Sequence, residues 1–259
     1  MSEKEQSTRE IGSKINFKII AVIIILTVGY HLYISMIEQD PEVLELSDIS
    51  YGMGALACGV MSIIISRRYK GSEIFSKTYL ALGLGFMFLF LGDVVYNYYD
   101  LILQEYPYPS LADVFYLAFP PLVIYHLVVN IRYFMKEVDI STVVGQVTFP
   151  VSIVFVYAFL SFDEMAGFNF EYYVSLFYVL SSSVILSLSM LALSIFKKSV
   201  LGVAWLLLAM GIFATMIADD WYYYVELLDV FDTNHPVNTV WVLGFMTIFY
   251  ALYKHRQII

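Results

Sequence analysis

Eight runs of mainly apolar residues follow one another along the chain, at 15–37, 49–66, 78–103, 111–134, 143–162, 172–196, 203–228 and 238–253. A helix needs about 20 apolar residues to cross a bilayer core about 30 Å thick. Lipid offers backbone polar groups no partner, so a crossing segment must be a helix or part of a closed barrel. Barrel strands alternate over ~10 residues; these runs are longer and continuous. The expectation is an all-α, polytopic helix bundle with eight transmembrane helices. Apolar residues make up 60% of the chain and charged residues 14%, against about 25% charged in soluble domains.

The first run has an apolar core, 19–29, short enough for a signal sequence. Tyr30, His31, Leu32 and Tyr33 follow it in place of a small-residue cleavage site, so it reads as a retained helix. The single cysteine, Cys58, excludes an intramolecular disulfide and a cysteine-rich metal cluster. A net charge of −9 argues against a nucleic-acid partner.

With eight crossings, all 14 basic residues fall on one side: Lys4, Arg9, Lys14 and Lys18, then Arg67, Arg68, Lys70 and Lys77, then Arg132 and Lys136, then Lys197 and Lys198, then Lys254 and Arg256. The positive-inside rule makes that side cytoplasmic and predicts a cell-membrane protein with both termini inside. A wrong count would scatter the positives. The opposite side carries 17 of the 23 acids, among them Glu38, Asp40, Glu42, Glu45 and Asp48 in the first outer region. Such a skew is either a solvated acidic surface or a field that draws cations outward-in.

Spans three and seven match at an offset of 126 residues. Gly85 pairs with Gly211, Asp93 with Asp219, Tyr96 with Tyr222, Tyr98 with Tyr224 and Asp100 with Glu226; Leu117 and Phe119 pair with Leu243 and Phe245. This predicts a cytoplasmic tail, 1–14, and two four-helix repeats, 15–134 and 143–259. Four crossings return the chain to its starting side, so the repeats would be parallel.

Asp93, Tyr96, Asn97 and Asp100 share one helical face, as do Asp219, Tyr222, Tyr223 and Glu226. At ~1.5 Å per residue, Asp93 and Asp219 lie about 22 and about 24 Å into their spans, in the outer third of the bilayer. An interfacial aromatic belt accounts for the tyrosines, but it needs no carboxylate, and embedded charges face protein or a wet cavity. The candidate ligand-binding residues are therefore Asp93, Tyr96, Asn97, Asp100, Asp113, Asp219, Tyr222, Tyr223 and Glu226, with His31 in the outer half of span one. They are expected to line an outward pocket for a cationic or small-molecule ligand. His126 reads first as a helix-to-helix hydrogen-bond partner, and Ser181, Ser182, Ser183, Ser187 and Ser189 as interhelical packing and hydrogen bonding. Pro120, Pro121 and Pro150 can kink spans four and five. No catalytic motif, metal site or cofactor motif is present. Asp219 and Asp220, being adjacent, point about 100° apart on a helix and cannot both face one cation.

Leu91-Gly92-Asp93-Val94-Val95-Tyr96, followed by Pro109-Ser110-Leu111-Ala112-Asp113-Val114-Phe115-Tyr116-Leu117 and Pro120-Pro121-Leu122, resembles the multi-spanning membrane input region at the N-terminus of some bacterial diguanylate cyclases and sensor kinases. Gly92, Asp93 and Tyr96 match its GD…Y helix. Pro109, Ser110, Ala112, Asp113, Tyr116 and Leu117 match its PSxADxxYL segment. The resemblance implies a sensory or ligand-responsive membrane module. It departs from those proteins in that no output domain follows the eighth span, so the expected partners are the bilayer and a separate membrane or cytoplasmic protein. A small transporter or cation pathway, a structural subunit of a larger complex and a lipid-acting enzyme are the alternatives, the enzyme least favoured.

Overall fold

The structure, a computed structural model, describes residues 14–36, 41–69, 71–105, 107–135, 139–164, 169–196, 202–232 and 234–258, with side chains of 41–51, 163, 164 and 258 left aside. Lys4, Arg9, Lys70, Lys136, Lys197, Lys198, Glu38 and Asp40 lie outside these residues, as does all of the 1–14 tail but Lys14. The side chains of Glu42, Glu45, Asp48, Asp163 and Glu164 lie outside them as well.

Among the described residues there are helices and no strand: α1 (Phe17–Met36), α2 (Pro41–Arg68), α3 (Glu73–Asn97), α4 (Leu111–Phe134), α5 (Ile140–Glu164), α6 (Phe170–Phe196), α7 (Gly202–Leu227) and α8 (Pro236–Ile258). All except α2 are long and apolar enough, within the described residues, to cross a membrane. The chain is thus a multi-pass membrane bundle. Helix α2 begins eight residues before its apolar run, and α4 runs unbroken through Pro120 and Pro121.

Six helices close a ring in which α2 packs on α3, α3 on α4, α4 on α6, α6 on α7, α7 on α8 and α8 back on α2. Helix α1 lies outside against α8, and α5 outside against α6. Exposure follows this arrangement: Ile25 of α1 and Phe159 of α5 are exposed, whereas Leu82 of α3 and Ile212 of α7 are buried. A stripe of polar residues on the rim would face lipid, so the outer helices are apolar on nearly every side.

Close approach in the ring depends on glycine. A Cβ on Gly211 would lie 2.8 Å from the Ile248 backbone nitrogen, and one on Gly244 would lie 3.1 Å from that of Thr215. Small residues let membrane helices pack backbone to backbone, and here they seat α7 against α8.

The middle of the ring is filled by Phe86, Phe119 and Phe245, with Phe86 5.5 Å from Phe119 and 6.3 Å from Phe245 between centroids. Toward the basic end the filling is polar-aromatic. Tyr79 bonds His255 Nε2 at 2.8 Å, and His126 Nδ1 donates to the Thr78 carbonyl at 2.9 Å. Trp205 meets Tyr79, His126 and His255 at ring distances of 5.6, 6.2 and 4.8 Å. The Tyr79 hydroxyl and one ring nitrogen each of His255 and His126 find partners inside the bundle, as burial demands.

Candidate ligand site at the acidic end

Helix α4 starts on a capping box. Ser110 Oγ accepts from the Ala112 backbone N–H at 3.1 Å, and Asp113 Oδ2 accepts from the Ser110 N–H at 2.6 Å. Two orphan donors of the helix end are satisfied reciprocally. Asp113 then uses its other oxygen between helices: Oδ1 accepts from the Tyr178 hydroxyl of α6 at 2.6 Å. One buried carboxylate both starts α4 and ties it to α6.

Three more carboxylates act the same way. Asp93 Oδ1 on α3 accepts from the Tyr116 hydroxyl on α4 at 2.9 Å. Asp219 Oδ1 on α7 accepts from Trp241 Nε1 on α8 at 2.6 Å. Asp220 Oδ1 on α7 accepts from Ser182 Oγ on α6, while its Oδ2 is buried without a hydrogen-bond partner. Together they link α3–α4–α6–α7–α8 in sequence around the ring. His31 Nδ1, 2.9 Å from Thr239 Oγ1, adds α1 to α8. Hydrogen bonds to a charged acceptor are shorter and stronger than neutral ones, and every donor in these four clasps is neutral.

The tyrosines knit the clasps together. Tyr178 stacks on Tyr223 with centroids 5.3 Å apart, and Tyr222 lies 5.5 Å from Trp241. Outside the spans, the Tyr108 hydroxyl donates to the Glu171 carbonyl and sits 2.9 Å from Ser175 Oγ. Burial pushes its pKa up to about 12, against the opposing effect of the Ser175 bond.

The candidate residues do not all gather. Asp93, Asp113, Asp219, Tyr222, Tyr223 and His31 belong to the clasped belt, with Tyr96 and Asn97 half-buried beside Asp93. Asp100 lies in the π-helical turn that the chain forms from Tyr98 to Leu103, and it is exposed. Glu226, one residue from the end of α7, is exposed as well. Asp93 and Asp219 each bond within their own half of the ring, and two hollows lined by described residues lie toward the basic end. No group of three or more His, Cys, Asp or Glu that could share a metal occurs among the described residues.

Sequence reasoning passed over Tyr178 and Trp241, and it named Ser182 and Asp220 without pairing them. The signal for Asp220 was its adjacency to Asp219, which points it at the neighbouring helix. Serines of α6 mostly bond their own turn, as Ser181 does to Phe177 O and Ser189 to Leu186 O. Ser182 and Ser187 reach across, the latter to Gln146 Oε1 at 3.0 Å.

The chain matches no protein-family description, no curated protein and no solved structure.

Proposed function

We propose that the chain is an eight-span cell-membrane sensory module that binds a cation or cationic small molecule at its acidic end and converts that binding into a change of helix packing. The observation that carries this reading is the belt of four membrane-embedded carboxylates, each clasping two neighbouring helices through a neutral donor. By the eight-span count every lysine and arginine of the sequence falls on the opposite side. An arriving cation would compete with tyrosine, indole and serine donors for the same oxygens, and so loosen or re-aim up to four helix contacts at once. The differential contact between ligand-free and ligand-bound belts supplies the free energy of a switch. The aromatic filling behind the belt, from Phe86 to Trp205, favours sensing over a path through the bundle.

By the positive-inside rule the acidic end faces outward and both termini are cytoplasmic. The duplication has support in the packing order. Exchanging α2, α3 and α4 for α6, α7 and α8 maps each ring contact onto another ring contact. A Cβ on Gly85 would meet Leu122 and one on Gly211 would meet Ile248, positions that are themselves 126 apart. Helices α1 and α5 dock differently and break the symmetry. The two motif segments of the input-region resemblance also interlock: a Cβ on Gly92 would lie 2.5 Å from the Tyr116 ring that reaches Asp93.

The test is a thermal-shift screen of the detergent-purified chain against metal cations, organic amines and lipids. A ligand that binds only the folded state raises the Tm saturably. At least one cation or amine should do so, and Asp113→Asn or Asp219→Asn should reduce the shift. A flat response across all cations and amines would overturn the reading.

A further inference from the structure

The basic end holds a half-open hollow of about 700 Å³ between the segment that enters α1 and the last turns of α8. Lys14 and Lys18 line it from one side and Lys254 from the other, with Asn16, Tyr253 and Gln257 between them; among the described residues its lining includes no acidic one. Two bonds hold the walls in place. The Asn16 backbone N–H donates to the Tyr250 hydroxyl at 3.0 Å, and Lys254 Nζ donates to the Lys14 carbonyl at 2.7 Å. Lys254 Nζ also lies 5.8 Å over the Tyr250 ring.

We infer that this hollow binds the phosphate of an anionic phospholipid headgroup. The charge is complementary: three lysines line one concavity. Its depth also fits, because the apolar span of α1 begins at Phe17, itself part of the lining. The concavity therefore sits where the chain enters the bilayer. It runs directly into exposed apolar surface on α1, including Phe17, Ile24 and Ile25, along which acyl chains can lie. A free phosphate would use the lysines and leave that surface unused; an amphiphile uses both. Basic pockets between membrane helices recognise anionic headgroups in this way. Since α1 packs on the ring through α8, a lipid seated here also fastens α1 to the bundle.

The experiment compares the Tm of the full chain in phosphatidylcholine vesicles, in vesicles doped with phosphatidylglycerol, and in phosphatidylcholine with inorganic phosphate. Native mass spectrometry counts retained lipid. Phosphatidylglycerol should raise the Tm by about 3–6 °C, the shift expected for a site held near ten times its Kd in a chain of this size. It should also be retained in preference to phosphatidylcholine. The Lys14→Gln/Lys18→Gln double variant, altered only at exposed positions, should lose both effects. Lys18→Arg should keep them, as should Lys77→Gln, which removes a basic residue outside the hollow. A shift that survives the double variant would reduce the effect to diffuse surface attraction and overturn the inference. An equal shift with inorganic phosphate would make it a free-anion site and overturn the lipid assignment. No response to phosphatidylglycerol would leave the lysines to solvent or to the chain's own acids, Glu3, Glu5 and Glu10 included, and would overturn it too.

Discussion

Tyr116 crosses from α4 to α3 over the one residue that leaves it room: its hydroxyl donates to Asp93 Oδ1 at 2.9 Å, and its ring occupies the space a side chain at Gly92 would fill. Gly92→Ala should therefore be worse than Tyr116→Phe, because it displaces the ring as well as the bond. Tyr116→Phe should cost about 0.5–2 kcal/mol, the range for a hydrogen bond within a membrane bundle or to a charged acceptor. Reversible unfolding in mixed micelles measures both, and equal costs would contradict the packing described.

At the other end of the bundle, Trp205 is the hub of the aromatic and histidine filling. Trp205→Ala should destabilise by about 3–5 kcal/mol, as large-to-small changes in well-packed cores do. A double-mutant cycle on Tyr79→Phe and His255→Ala should show coupling, since each single change strands the other's buried polar tip. Additive single effects would deny the bond.

Asp139 precedes α5 in the loop at the basic end. Its carboxylate accepts from the Thr142 backbone N–H at 2.7 Å and from Ser141 Oγ at 2.8 Å, and these bonds, Thr142's first, hold its pKa below the usual carboxylate range. A carboxylate whose folded value is depressed stabilises the fold above its unfolded value, near 3.9, and loses that contribution as pH falls through the lower folded value. Asp139→Ala should lower the Tm at neutral pH, and the gap to wild type should close as pH falls through the depressed folded value. A gap independent of pH would show that the cap does not act through the charged carboxylate.

Much of the fold was legible because length and hydropathy alone decide what can lie in lipid: the run 111–134 coincides with α4, and most other runs differ from their helices by a few residues. Helix α2 extends through Glu42, Glu45 and Asp48 because a helix need not stop where hydropathy does. The site was legible in part. The i, i+3, i+4 pattern picked out Asp93 and Asp219, which bond to neighbouring helices, yet it assumes unbroken α-helix, and Asp100 lies in a π-helical turn after Asn97. The donors Tyr178 and Trp241 sit on other helices, and no local spacing in one sequence reveals which side chain crosses to which neighbour. The pairing of α4 with α6, which brings Tyr178 to Asp113, follows from ring closure rather than from any motif.

The central claim concerns what the carboxylate belt does when a cation arrives, and Trp241 reports on it directly because its indole N–H is bonded to Asp219. The measurement is the indole emission of wild type minus that of Trp241→Phe, titrated with a cation or amine that raises the Tm. The account predicts a saturable change in this difference at the concentrations that stabilise the protein, and its loss in Asp219→Asn. Stabilisation with no change in the Trp241 signal, or a change that persists in Asp219→Asn, would contradict it.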